Sequence, residues 1–140
     1  MTTRFASLAI ILLTLSLTAT AQSAEKTFSK AFNTEGKGTI RLDLPGTIDL
    51  KIWDTPTIRI SFTVSSPSAS SAMIGELTNA GRYNLVSKAE GDVLTISAPN
   101  MQKQIRVKGE ELLETLSYVV FVPRDLKIEM PNAAAFATKR

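Results

Sequence analysis

The chain of 140 residues has no histidine, no cysteine and a single tryptophan. Without histidine or cysteine, serine–histidine and cysteine–histidine nucleophilic systems cannot be assembled. The usual zinc sites and iron–histidine sites lose their ligands for the same reason. Without cysteine no disulfide can staple the fold, so packing and backbone pairing must hold it together. A glycine-rich phosphate loop is also missing: Gly36-Lys37-Gly38 lacks the spacing and the lysine–serine ending that cradle phosphates, and reads as a turn. Charge of one sign is scarce too. Lysine and arginine number 16 against 13 aspartates and glutamates, and the two kinds are mostly interleaved. The densest basic cluster, Lys103, Arg106 and Lys108, has no stacking aromatic beside it, so a nucleic-acid partner is not expected.

What is present begins with a leader. In MTTRFASLAIILLTLSLTATAQSAEK, Arg4 supplies a positive start, Phe5 to Leu17 an apolar run, and Ala19-Thr20-Ala21 a small-x-small site. This form predicts a secretory signal peptide over residues 1–21, cleaved before Gln22, and export to the periplasm or the extracellular space. The run is broken by Thr14, Ser16 and Thr18 and falls short of the roughly 20 apolar residues of a spanning helix. The processed protein is therefore not expected to span a membrane. No cysteine follows the cleavage region, which gives no support to a lipid anchor there. Taking 21 residues from 140 leaves 119, the size of one domain. Residues 22–140 are read as a single β-rich domain with a frayed C-terminal tail from about residue 132, because PNAAAFATKR has no core pattern.

The body of the chain alternates. Phe28 and Phe32 mark a first strand-like run, ended by TEGKG; Ile40, Leu42 and Leu44 mark a second, ended by Pro45-Gly46. In IDLKIWDTPTIRISFTV the apolar positions are Ile48, Leu50, Ile52, then Ile58, Ile60, Phe62 and Val64, the period of two of half-buried strands. A serine-rich connector follows, in which Ser70 or Ser71 can cap a short helix over AMIGEL and Gly81 can end it. Gly75 weakens that helix by about 1 kcal/mol relative to alanine. Tyr83 and Leu85, a turn at AEGD, and Leu94, Ile96 and Ala98 resemble a hairpin. QIRVK reads as a further short strand, and Leu112, Leu113 and Leu116 fit either a helical turn or a strand entry. Tyr118 to Val122 run without polar interruption, which predicts a strand covered on both faces. LKIEM alternates once more. Turn signals about every ten residues predict a mainly β fold: two packed antiparallel sheets or a short β-solenoid-like stack, with one short helix.

Two chemistries survive on residue type alone. Paired carboxylates support glycoside hydrolysis, and Asp43 with Asp49, or Glu110, Glu111 and Glu114, are the groupings to consider. Acidic residues beside turns and on solvated faces are common, however, and nothing in the sequence selects a pair. Calcium needs several oxygen ligands; Glu90-Gly91-Asp92 with Asn84 is too sparse for a known loop. No Ser-x-x-Lys motif stands where it would open a helix. The expectation is no catalytic residue, no metal and no cofactor. Trp53 is the odd residue, since it falls on the polar side of its strand. As a platform it would stack sugars. As scaffold it would fold over Asp54-Thr55-Pro56 or lie beneath the serine-rich connector, and with Arg59 but no second aromatic on its side, scaffold is the favoured reading.

The phrase GKGTIRLDLPGTIDLKIWDTPTIRISFTV, the helical connector and the later YVVFVPRDLKIEM resemble the N-terminal part of a bacterial adhesin-like domain of unknown function found in envelope proteins. The pattern G-x-I-x-[VL]-x-x-W-D is carried here by Gly46, Ile48, Leu50, Trp53 and Asp54, and the valine–proline corner by Val122-Pro123. The resemblance covers most of residues 27–131 and implies that Trp53-Asp54 belong to a corner of the fold. Members usually continue past that corner into glycine–aspartate turns stacked as a solenoid, where this sequence has PNAAAFATKR. The resemblance brings no catalytic residues with it. The resulting expectation is an exported, non-catalytic, adhesin-like envelope protein whose partner is another envelope protein or a cell-surface polymer. The alternative is a small carbohydrate-active enzyme or sugar-binding module using paired carboxylates.

Overall fold

Ile40, Leu42 and Leu44 alternate with Arg41 and Asp43, and in a computed structural model, which describes residues 24–132, all three are fully buried. They sit on or just after β2 (Thr39–Asp43), one of ten strands among the described residues. The others are β1 (Ala24–Asn33), β3 (Thr47–Trp53), β4 (Thr57–Ser66), β5 (Val86–Glu90), β6 (Val93–Ser97), β7 (Arg106–Val107), β8 (Glu110–Glu111), β9 (Thr115–Pro123) and β10 (Lys127–Glu129). One sheet has the order β1-β4-β9-β3 and the second β10-β2-β6-β5; β7 and β8 form a separate small hairpin. The leader, its cleavage site and the tail beyond residue 132 lie outside the described residues.

The mainly β, packed-sheet architecture with one short helix agrees with the pattern of the sequence, but the pairing inside the sheets does not follow it. β1–β4, β4–β9 and β5–β6 are antiparallel, whereas β3–β9, β10–β2 and β2–β6 are parallel. The physical reason lies in the turns. Leu44-Pro45-Gly46 and Arg124-Asp125-Leu126 carry the chain from one sheet to the other, so β2 and β3, like β9 and β10, are not hairpin partners. Each then finds a parallel in-sheet neighbour elsewhere in the chain, β9 pairing antiparallel with β4 as well. Gly46 makes the first of these crossings possible. Its φ of +112° is a left-handed conformation, and a side chain there would meet the Leu116 carbonyl and lie 2.9 Å from the Leu116 Cβ.

The core lies between the sheets. Ile58, Ile60, Phe62 and Val64 of β4 face Ile40, Leu42, Leu94 and Ile96 of the second sheet, with Tyr118, Val120 and Val122 of β9 in the same cluster. Phe28, Phe62 and Tyr118 form a run of stacked rings, at centroid distances of 4.8 Å and 5.5 Å. The helix α1 (Ser71–Asn79) lies against β1 and buries Ile74. Ser70 caps it, its hydroxyl accepting from the Met73 N–H at 3.2 Å. It ends as the sequence predicts, at Gly81 with φ +85°. The ambiguous GEELLETL is strand entry: β8, a short bend with Leu112 buried and Leu113 exposed, then β9.

One expectation about depth is corrected, and one strand lies at an edge that its pattern does not announce. β9 is an internal strand whose two faces are covered unequally: Tyr118, Val120 and Val122 are buried, while Val119 and Phe121 on the outside are only partly buried. β3 alternates as regularly as β4, yet it is an edge strand, with Ile48 and Leu50 half-buried and Ile52 59% exposed.

Candidate functional site

Trp53 is the last residue of β3 and pairs with Pro123 at the end of β9. Its odd position turns the ring to the outer face of the sheet, as its strand pattern requires. The chain then makes the Asp54-Thr55-Pro56 turn and returns in β4. The indole N–H donates across that turn to the Thr57 carbonyl at 2.8 Å. This satisfies the one polar atom of the side chain and fixes the ring over the turn, so of the two scaffold placements it is the turn, not the serine-rich connector, that Trp53 covers.

A second aromatic does share this face. Phe121, opposite Lys51 on one side and Arg59 on the other, brings its ring to 5.3 Å from Trp53, tilted by 37°. The expectation of a lone tryptophan is therefore corrected. Phe121 was hidden in an uninterrupted apolar run, and its approach to Trp53 depends on a long-range parallel ladder that no local pattern announces. Beside Trp53 is a shallow cleft of about 340 Å³, lined by Trp53, Asp54, Pro56, Arg124, Asp125 and Leu126 among others. Two of its lining residues are paired, Arg124 donating to Asp54 at 3.2 Å, both side chains largely exposed. Such an exposed pair contributes at most about 1 kcal/mol, so its charges remain open to a partner. The site as built offers a fixed aromatic step with a carboxylate and a guanidinium at its rim.

The carboxylates considered for catalysis do not converge. Asp43 faces outward from the second sheet and holds Asn132 at 2.6 Å. Asp49 faces outward from the first, on the opposite side of the sandwich. Glu110 and Glu111 are exposed on β8. Glu114 is taken up by a buried cluster: the Arg82 Nε lies 3.2 Å from both its oxygens, and the Tyr83 hydroxyl donates to it at 2.6 Å. A further Arg82 nitrogen donates to the Lys103 carbonyl at 2.8 Å. The Arg82 and Glu114 side chains are 8% and 7% exposed. Burial, reinforced by the bond to Glu114, pushes the Tyr83 phenol well above its ordinary pKa, and Glu114 holds the Arg82 guanidinium still more firmly protonated. This cluster ties the segment before β9 to the end of α1. Its polar atoms are all partnered, which makes it a fastening rather than an open site.

Among the described residues, no helix is long and apolar enough to cross a membrane. No family model matches the chain, and no curated protein matches it. Among solved structures, the chain is similar to that of a candidate cell adhesion protein from Clostridium sporogenes ATCC 15579, at 14% sequence identity and a TM-score of 0.43. The match covers 76% of this chain and 45% of that one, so the chain spans less than half the length of the structure it resembles.

Proposed function

We propose that the chain is an exported, non-catalytic interaction domain of the bacterial envelope, adhesin-like in kind, which meets another envelope protein or a cell-surface polymer at the turn surface around Trp53. The observation that carries the reading is the Trp53–Phe121 pair, partly exposed, locked by the bond to Thr57 and placed beside the Asp54–Arg124 rim. Rigid aromatic surface gives contact area at little cost in ordering. The non-catalytic part of the proposal is supported by the dispersal of the acidic groups that the sequence offered as pairs. Glycosidic acid–base work needs two carboxyl groups about 5 to 10 Å apart across one cleft, whereas Asp43 and Asp49 face away from each other and Glu114 is consumed by Arg82. Export rests on the leader, Arg4 to Ala21.

The test is to express the full chain in a bacterial host and recover it from the envelope fraction. Intact mass is expected to show loss of residues 1–21. The recovered protein is then titrated with purified cell-wall polymer and with solubilised envelope proteins, using the emission of the single tryptophan as readout. Arg124→Glu and Asp54→Lys are expected to weaken binding at unchanged melting temperature. A full-length mass in the membrane pellet would overturn export. Binding indifferent to both substitutions would overturn the turn surface as the contact.

A further inference from the structure

Among the described residues, four strands end the two sheets: β1 and β3 in one, β10 and β5 in the other. A free strand edge is a template for another strand unless something blunts it. Three of the four are blunted. β1 points Lys26 and Lys30 to the same side as Phe28 and Phe32, and the Lys30 ammonium is bonded to the Leu85 carbonyl at 2.7 Å. β5 turns only Ser87 and Ala89 to the side of Leu94 and Ile96, so a strand added there would bury little apolar surface. β10 has three residues and is followed by Pro131. β3 has seven residues, no proline and no inward charge; its inward positions are Ile48, Leu50 and Ile52, the last 59% exposed.

We propose that β3 is a self-association edge, on which a second copy of this chain pairs antiparallel across a twofold axis with Leu50 opposite the partner's Leu50. The charge pattern selects this occupant and this register. Two identical strands related by a twofold axis must pair residues of the same parity to keep both apolar sides on one face. Centred on Leu50, the pairing sets Asp49 opposite the partner's Lys51 and Lys51 opposite the partner's Asp49, two opposite-charge pairs. Exposed Ile52 then lies opposite the partner's Ile48. The neighbouring registers are penalised: centring on Asp49 opposes two aspartates, and centring on Lys51 opposes two lysines, each a destabilising like-charge pair. β3 is thus complementary to itself in one register. A single added ladder is a small interface, so the dimer is weak and reversible.

The inference rests on the strand edge of β3 rather than on the turn beyond Trp53, and is tested without any envelope ligand. Sedimentation velocity of the recovered protein, from about 1 μM to about 1 mM, is expected to show a monomer–dimer equilibrium. D49K and K51D change exposed, outward positions that leave the fold intact, yet each turns both cross-strand pairs into like-charge pairs, and each is expected to weaken dimerisation at least tenfold. Mixing the two variants restores opposite charges, so the mixture is expected to form a heterodimer, and the double variant D49K/K51D to regain the homodimer. I52K, which places a charge on the inward side, is expected to remain monomeric with an unchanged melting temperature. A parent protein monomeric at every concentration would overturn the proposal. So would a dimer that tolerates both single charge changes, or a mixture that fails to associate.

Discussion

The Trp53 and Phe121 rings lie 5.3 Å apart, tilted by 37°, on the outer face of the first sheet, with the indole N–H bonded to the Thr57 carbonyl. The contact joins the ends of β3 and β9 to the turn that starts β4, so it fastens three strands at one corner. Such an arrangement is scaffold first, and its exposed remainder is surface.

Trp53→Ala is accordingly expected to destabilise the protein by about 1–3 kcal/mol, between the cost of a buried tryptophan and that of a surface residue. Phe121→Ala should cost a similar amount, and the double variant less than the sum, by about 0.5–1.5 kcal/mol for the ring pair itself. Chemical denaturation of the four proteins measures the cycle. Emission of the folded parent should be blue-shifted from that of free tryptophan. Water-like emission together with unchanged stability in Trp53→Ala would sink the scaffold role.

The Arg82–Glu114 pair gives a larger effect with a different signature. Glu114→Gln leaves a buried guanidinium without its counter-charge, and breaking one side of a buried pair costs about 3–5 kcal/mol. The double variant Arg82→Met/Glu114→Leu removes both charges and should be markedly more stable than the single one. If the single and double variants melt together, the pair is not coupled as the 3.2 Å contacts imply.

Glycine substitutions separate two environments. Gly75→Ala, inside α1 with open space around it, is expected to stabilise the protein by about 0.5–1 kcal/mol. Gly46→Ala meets both the left-handed φ and the Leu116 backbone and should cost more than about 1–3 kcal/mol of backbone strain alone. Urea midpoints of the two variants moving in opposite directions are the expected result.

The inward faces of β2, β4 and β6 were legible in the sequence because a strand buried on one side must alternate, and Ile40–Leu44, Ile58–Val64 and Leu94–Ala98 do so. Local chemistry also announced the ends of α1, where Ser70 and Gly81 act within a few residues of themselves. What alternation does not carry is which strand lies next to which. The same pattern marks the internal β4 and the edge β3, and a Pro-Gly turn looks alike whether it closes a hairpin or crosses between sheets. The pairing of Trp53 with Phe121 and of Arg82 with Glu114 rests on contacts between distant segments, so neither was visible before the fold.

The last prediction concerns alkaline pH. Tyr83 and Tyr118 are the two tyrosines of the chain, both almost fully buried. Burial raises both phenols above their ordinary pKa, with Glu114 adding to the rise in each case. In the unfolded chain they ionise near pH 10. A group whose pKa is raised in the folded state contributes stability that is complete below the unfolded pKa and is lost as pH climbs. Between about pH 10 and the folded values, the unfolded chain has released both protons and the native protein has not, so stability should fall by up to about 2.7 kcal/mol per pH unit. Below about pH 9 these two groups should contribute no slope. Denaturation midpoints from pH 8 to 11.5 measure the trend, and tyrosinate absorbance should appear only as the protein unfolds. Tyr118→Phe removes one of the two groups while leaving the ring, so it should halve the alkaline slope. Tyrosinate absorbance rising near pH 10 in protein that is still folded would show that the two hydroxyls are open to solvent, and would refute the buried cluster around Glu114.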